Sequence, residues 1–200
     1  MFVKICGITR ADDAEAAVAL GAEAIGFVFW PASPRYIHPD RAREIAGRLP
    51  ALVTTVGVFV DQPAAHVNGV ARTVGLRAVQ LHGDETPEYA SRIAAPVIKA
   101  MMLGSADAAW PDETLILLDA HDPVRRGGTG RTIDWRAAAD VAARRRTIVA
   151  GGLTPDNVAE AIAQVQPFGI DVSSGVEAAP GVKDHQRLKA LFEAVKHAQA

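Results

Sequence analysis

The chain has 200 residues, 49% hydrophobic and 22% charged, the proportions of an ordinary globular protein with a sizeable core. Its 21 Lys and Arg against 23 Asp and Glu give a formal net charge of −2, which supplies no electrostatic drive toward nucleic acid or an anionic membrane. A lone cysteine, Cys6, rules out an internal disulfide, no apolar run approaches the ~20 residues that span a bilayer, and MFVKICGI lacks a signal-peptide pattern, so a cytoplasmic protein in a reducing compartment is expected.

Short runs rich in β-branched and aromatic residues alternate with alanine-rich amphipathic stretches. FVKICG (2–7) opens the chain as a strand. ADDAEAAVALG (11–21) follows as a helix, with Ala14, Ala17, Val18 and Gly21 on one face and Gly21 as its stop. AIGFVFW (24–30) is the second strand, and HPDRAREIAGRL (38–49) a helix that places Pro39 where a first-turn proline is tolerated. TTVGVFV (54–60), AVQLHG (78–83), VIKAMML (97–103) and LILLDAH (115–121) continue the strands. SADAAW (105–110), between the last two, is too short for a full crossover helix. TIVAGGL (147–153) leads into TPDNVAEAIAQVQ (154–166), read as a helix with Thr154 as N-cap, Pro155 at its first position and Asp156 in its first turn. GIDVSSG (169–175) is the eighth strand, and KDHQRLKALFEAVKHA (183–198) a final helix burying Leu188, Leu191, Phe192 and Val195.

Eight strands, each followed by a helix or a short substitute, predict an α/β protein: a closed parallel (β/α)8 barrel, a TIM barrel, formed as a single domain over 1–200. An open doubly wound sheet is the structural alternative. In such a barrel the chemistry sits at the C-terminal ends of the strands, and strand alternation sorts the residues there. Lys4 and Cys6 share a face opposite Val3 and Ile5. Gln80 pairs with His82 in the same way, Leu117 with Asp119, and Asp171 with Ser173. Inward polar residues on several strands converge on one site.

Glycines at Gly151 and Gly152 precede a helix start, and Ser174 and Gly175 end the next strand, which together make the recurrent phosphate site of this fold. RRGGTGR, with Gly127, Gly128 and Gly130, suits a loop that folds over an anionic ligand. Each feature also has a bland reading: glycine pairs are mostly turns, His82 can be a satisfied rim residue, Arg35 a solvated loop charge, and an isolated cysteine core filling. The carboxylate that ends the apolar LILLD strand is the least easily explained without function. No metal-ligand cluster stands out.

Assembled in order, KICGIT (4–9), GFVFWPASPRYI (26–37), VGVFV (56–60), VQLHGDE (79–85), LLD (117–119), GGTG (127–130), IDW (133–135), AGGLTPDNV (150–158), DVSSGVE (171–177) and PGVKD (180–184) resemble the phosphoribosylanthranilate isomerase family from end to end. Ile133, where an aromatic is more usual, and the abbreviated fifth helix are the departures. The resemblance implies the Amadori rearrangement of N-(5-phosphoribosyl)anthranilate in tryptophan biosynthesis, with Cys6 as general base and Asp119 as general acid. It is compatible with Lys4 favouring the Cys6 thiolate and Arg35 gripping the anthranilate carboxylate. Gln80, His82 and Asp171 would line the substrate, and Gly151, Gly152, Ser174 and Gly175 would hold the phosphate. No cofactor is implied, and the partner is a phosphorylated small molecule bound by a monomer or homodimer. Two rivals remain. One is a related sugar-phosphate isomerase that uses paired aspartates at the ends of strands one and five, where this chain has Cys6 and the acid-free VIKAMML. The other is a non-catalytic sugar-phosphate-binding barrel, which would not need both Cys6 and Asp119.

Overall fold

The computed structural model describes residues 1–104, 109–119 and 133–199. Eight parallel strands close on themselves in sequence order: β1 (Phe2–Ile5), β2 (Ala24–Val28), β3 (Thr54–Phe59), β4 (Ala78–Leu81), β5 (Val97–Met102), β6 (Leu115–Asp119), β7 (Thr147–Val149) and β8 (Gly169–Val172). Closure runs through β1 and β8, with Phe2 opposite Gly169 and Ile5 opposite Val172. All eight predicted strands are present. Among the described residues, every strand except β6 ends one or more residues short of its predicted run, because the last residues leave the ladder to form the loops of the barrel mouth; the end of the LILLDAH run, 120–121, lies outside the described residues.

The helices are α1 (Ala11–Leu20), α2 (Pro39–Ala46), α3 (Ala64–Val74), the single turn α4 (Pro87–Ala90), α5 (Trp135–Ala142), α6 (Val158–Val165) and α7 (His185–Ala198). Gly21 ends α1 in the left-handed region and Pro39 sits in the first turn of α2, both as predicted, with His38 as the cap. Leu188, Leu191, Phe192 and Val195 are the buried face of α7. Thr154 does not start α6, whose first residue is Val158. The Asn157 side chain intervenes: its Oδ1 accepts from the Thr154 N–H at 2.8 Å, and its Nδ2 donates to the Gly152 carbonyl at 2.9 Å. Residues 154–157 therefore form a tied turn ahead of the helix. A hairpin that the sequence reading does not contain, β9 (Glu177–Ala179) with β10 (Val182–Lys183), sits between β8 and α7. The short 105–108 stretch and the Gly127, Gly128 and Gly130 loop lie outside the described residues.

Two apolar layers result from strand alternation. Val3, Ile5, Ile25, Phe27, Val79, Ile116 and Ile170 face the helices in one large cluster. Inside the barrel, Ala24, Val56, Ala78, Ile98, Leu117 and Ile148 fill the floor. Above that floor the interior turns polar, and this step places the site. Among the described residues no helix is long and apolar enough to cross a membrane.

Candidate active site

Along β1 the inward positions are Lys4 and then Cys6. Lys4 is fully buried, its Nζ 2.9 Å from Asp171 Oδ2 on β8. The Cys6 N–H donates to the Val172 carbonyl at 2.9 Å, which carries the β1–β8 ladder one residue past the strand and seats the thiol at the mouth beside Val28 and Val58. Burial strips the Lys4 ammonium of water, but Asp171 and Cys6 more than offset this and raise its pKa, so it stays charged. Burial pushes the Asp171 carboxyl above the usual range against the pull of Lys4. Sharing a strand face with Cys6, Lys4 is positioned to favour the thiolate. Lys4 and Lys183 do pull that way, yet desolvation outweighs them and, with Asp171, leaves the thiol above its ordinary 9.0.

On β4 the same alternation brings Gln80 and His82 together, and they join Asp119 at the end of β6. Gln80 Nε2 donates to His82 Nδ1 at 2.9 Å, so in this arrangement the opposite nitrogen carries the proton that faces Asp119 Oδ2 at 3.3 Å. Side-chain exposure is 16% for His82 and 12% for Asp119, low enough for this pair to hold its geometry. Gln80 lines the cavity as well, and it orients His82, which in turn orients Asp119.

These groups open into one cavity of roughly 690 Å³, large enough for a phosphorylated sugar carrying an aromatic ring. Cys6, His82, Asp119, Asp171 and Arg35 line it, as do Gly151, Gly152 and Ser174. Gly151 and Gly152 have φ of +82° and +64°, and among the described residues their N–H groups donate to nothing, which leaves two donors for an anion. Gly175 does not line the cavity. A Cβ there would stand 1.8 Å from the Leu153 carbonyl oxygen, so this glycine lets the loops after β7 and β8 touch and thereby shapes the cradle indirectly. Among the described residues, Asp171 Oδ1 and Ser173 Oγ are buried without a hydrogen-bond partner, two polar atoms available to a ligand's hydroxyl groups. Among the described residues no group of three or more His, Cys, Asp or Glu is placed to hold a metal ion.

Arg35 reaches the cavity but is not a free cation: Glu177 on the β9–β10 hairpin holds it in a two-pronged ion pair, with Nη2 to Oε2 at 2.7 Å. Ser173, inward by strand alternation, lines the cavity as expected, while Glu177 and Lys183 are missed by sequence pattern: their only signal is two charges in the otherwise small-residue stretch GVEAAPGVK, with no periodicity to aim them.

Three comparisons bear on this geometry. The family model for N-(5'-phosphoribosyl)anthranilate (PRA) isomerase matches residues 3–194. N-(5'-phosphoribosyl)anthranilate isomerase of Pelobacter propionicus is 46% identical over 202 residues, covering 99% of this chain and 97% of the relative. A solved phosphoribosyl anthranilate isomerase in complex with reduced 1-(o-carboxyphenylamino)-1-deoxyribulose 5-phosphate superposes with a TM-score of 0.87 at 42% identity, covering 98% of this chain and 99% of that one. Monomers of the dimeric enzyme from Thermotoga maritima give a TM-score of 0.88 at 42% identity with the same coverage. A closed barrel with a cysteine and a carboxylate at its mouth, matched over nearly its whole length in sequence and in shape, belongs to the N-(5'-phosphoribosyl)anthranilate isomerase family.

Proposed function

We propose that Cys6 and Asp119 are the general base and general acid of the isomerisation that family membership assigns to this chain, the conversion of N-(5'-phosphoribosyl)anthranilate in tryptophan biosynthesis. Protonated Asp119 donates to the ribose ring oxygen, the C1'–O bond breaks, and the nitrogen lone pair forms a Schiff base. Cys6 as thiolate takes the proton from C2', and the electrons of that bond give an enolamine. Tautomerisation, with a proton returned to C1', gives the aminoketose 1-(2-carboxyphenylamino)-1-deoxyribulose 5-phosphate. The proton transfers run between side chains and substrate, so the reaction calls for no metal or organic cofactor.

The observation that carries the assignment is the convergence of Cys6 and the His82–Asp119 pair on one cavity. A silent sugar-phosphate-binding barrel would not require it. Gly151, Gly152 and Ser174 bind the phosphate, and Arg35 offers the guanidinium edge that Glu177 leaves open to the anthranilate carboxylate. Anchoring both ends of the substrate positions C2' and the ring oxygen between base and acid. The same reading has the enzyme acting in the cytoplasm on a small molecule, as a monomer or a homodimer, with neither nucleic acid nor membrane as partner; light scattering on purified protein distinguishes the two assembly states.

The direct test follows the fluorescence of N-(5'-phosphoribosyl)anthranilate with purified protein, subtracting anthranilate released by hydrolysis. Enzyme-dependent conversion to the aminoketose is expected. Hydrolysis alone would contradict the reading. Arg35→Ala should raise KM on the order of 10- to 100-fold, the loss of a charge-assisted pair, with a smaller change in kcat.

A further inference from the structure

Arg35 and Lys183 share one carboxylate. Glu177 Oε1 accepts from Arg35 Nε at 2.9 Å, from Lys183 Nζ at 2.9 Å and from the Gly181 N–H at 3.2 Å. Its Oε2 accepts from Arg35 Nη2 at 2.7 Å. Lys183 Nζ also donates to the Ser173 carbonyl at 3.0 Å, which ties the hairpin to the end of β8. Glu177 and Lys183 are both nearly buried, at 7% and 4% exposure, so this is an internal strut and not a rim contact screened by solvent. Burial would raise the Glu177 carboxyl, but Arg35 and Lys183 outweigh it and hold it below the usual value, ionised at neutral pH.

The guanidinium has two hydrogen-bonding edges of use here. Glu177 takes the Nε–Nη2 edge, while Nη1 has no hydrogen bond among the described residues, which leaves the Nη1–Nη2 end for an incoming group. The stem is fixed as well. A Cβ on Gly7, the residue after Cys6, would stand 2.6 Å from Arg35 Cδ, so the arginine lies directly across the backbone that carries the base. The Arg35 N–H donates to Ser33 Oγ at 3.1 Å. An unrestrained arginine would lose rotamer entropy on gripping a ligand, and here that ordering is already made. The charges also count: Arg35 and Lys183 against Glu177 leave one net positive charge, which matches a carboxylate and not a phosphate dianion.

We propose that Glu177, buttressed by Lys183, is a positioning residue for recognition of the substrate's aromatic carboxylate, presenting the open edge of Arg35 as a preset monoanion clamp. The proposal rests on the reading of Arg35 as the carboxylate-binding residue. It makes a prediction that simple electrostatics reverses: removing the Glu177 charge should weaken carboxylate recognition, although the site becomes more positive.

The test uses two inhibitors, reduced 1-(o-carboxyphenylamino)-1-deoxyribulose 5-phosphate and the same compound without its carboxyl group, with Ki measured on wild type, Arg35→Ala, Glu177→Gln and Glu177→Asp. Wild type should prefer the carboxylated compound on the order of 10- to 100-fold. Glu177→Gln should lower that preference roughly tenfold while Ki for the compound without the carboxyl changes less than about threefold. Glu177→Asp keeps the charge but loses the reach of one methylene, should lower the preference likewise, and decides the matter if the Gln variant fails to fold. An unchanged or increased preference in these variants overturns the proposal, as does an equal loss of affinity for both compounds, which would mark Glu177 as merely structural. Retention of the preference in Arg35→Ala would instead overturn the underlying reading of Arg35, whatever the Glu177 variants do.

Discussion

Strand alternation carries most of the site at the scale of single residues. A period of two puts Lys4 with Cys6, Gln80 with His82, and Leu117 with Asp119, and the interior contains these pairs in that order from floor to mouth. Alternation says which face a side chain takes but nothing of its partner. Arg35 therefore reads in sequence as an open cation, and its strut to Glu177, 142 residues away, emerges only when a hairpin between β8 and α7 folds back. Cys6 shows the same limit: Lys4 favours its thiolate as sequence position suggests, but the desolvation that outweighs this depends on the closed barrel and not on the neighbouring lysine. The thiol's raised pKa gives a signed prediction. The proposed mechanism needs the Cys6 thiolate and a protonated Asp119 together, two fractions that change oppositely with pH, so kcat/KM should be bell-shaped with an alkaline limb set by the thiol beyond its ordinary 9.0. An alkaline limb well below that value would contradict the assignment. Lys4→Met removes an attraction that favours the thiolate, so the alkaline limb should move to still higher pH.

At the scale of elements, the chain's eight strands and its first, second and last helices are legible because burial and capping agree with local pattern. The start of α6 is not. Thr154, Pro155 and Asp156 carry every local mark of a helix opening, but the Asn157 side chain bonds back to Thr154 and Gly152 and moves the first helical turn to Val158. The displaced turn keeps Gly151 and Gly152 facing the cavity. Gly175 then sets how closely the neighbouring loop can approach. Gly175→Ala should force the two loops apart, destabilising the fold by about 1–3 kcal/mol in denaturant unfolding and raising KM for the phosphorylated substrate. Wild-type values of both would show that the contact with the Leu153 carbonyl does not shape the cradle.

At the scale of the whole molecule, closure puts a polar layer on an apolar floor, with Lys4 and Asp171 bridging the seam between β1 and β8. Removing one member of a buried pair strands the other charge, so Lys4→Met should cost about 3–5 kcal/mol of unfolding free energy as well as shifting the rate profile. A barrel alone implies no reaction. What selects one, on the proposed reading, is that the proposed base and acid, Cys6 just past β1 and Asp119 at the end of β6, reach the same cavity from strands three places apart in the ring. The most direct test is therefore the turnover of N-(5'-phosphoribosyl)anthranilate by Cys6→Ala and Asp119→Asn, read beside the affinity of each for the reduced product analogue. Both variants should lose on the order of 10²–10⁴ in kcat while binding the analogue within about threefold of wild type. Near wild-type turnover by either variant would contradict the account.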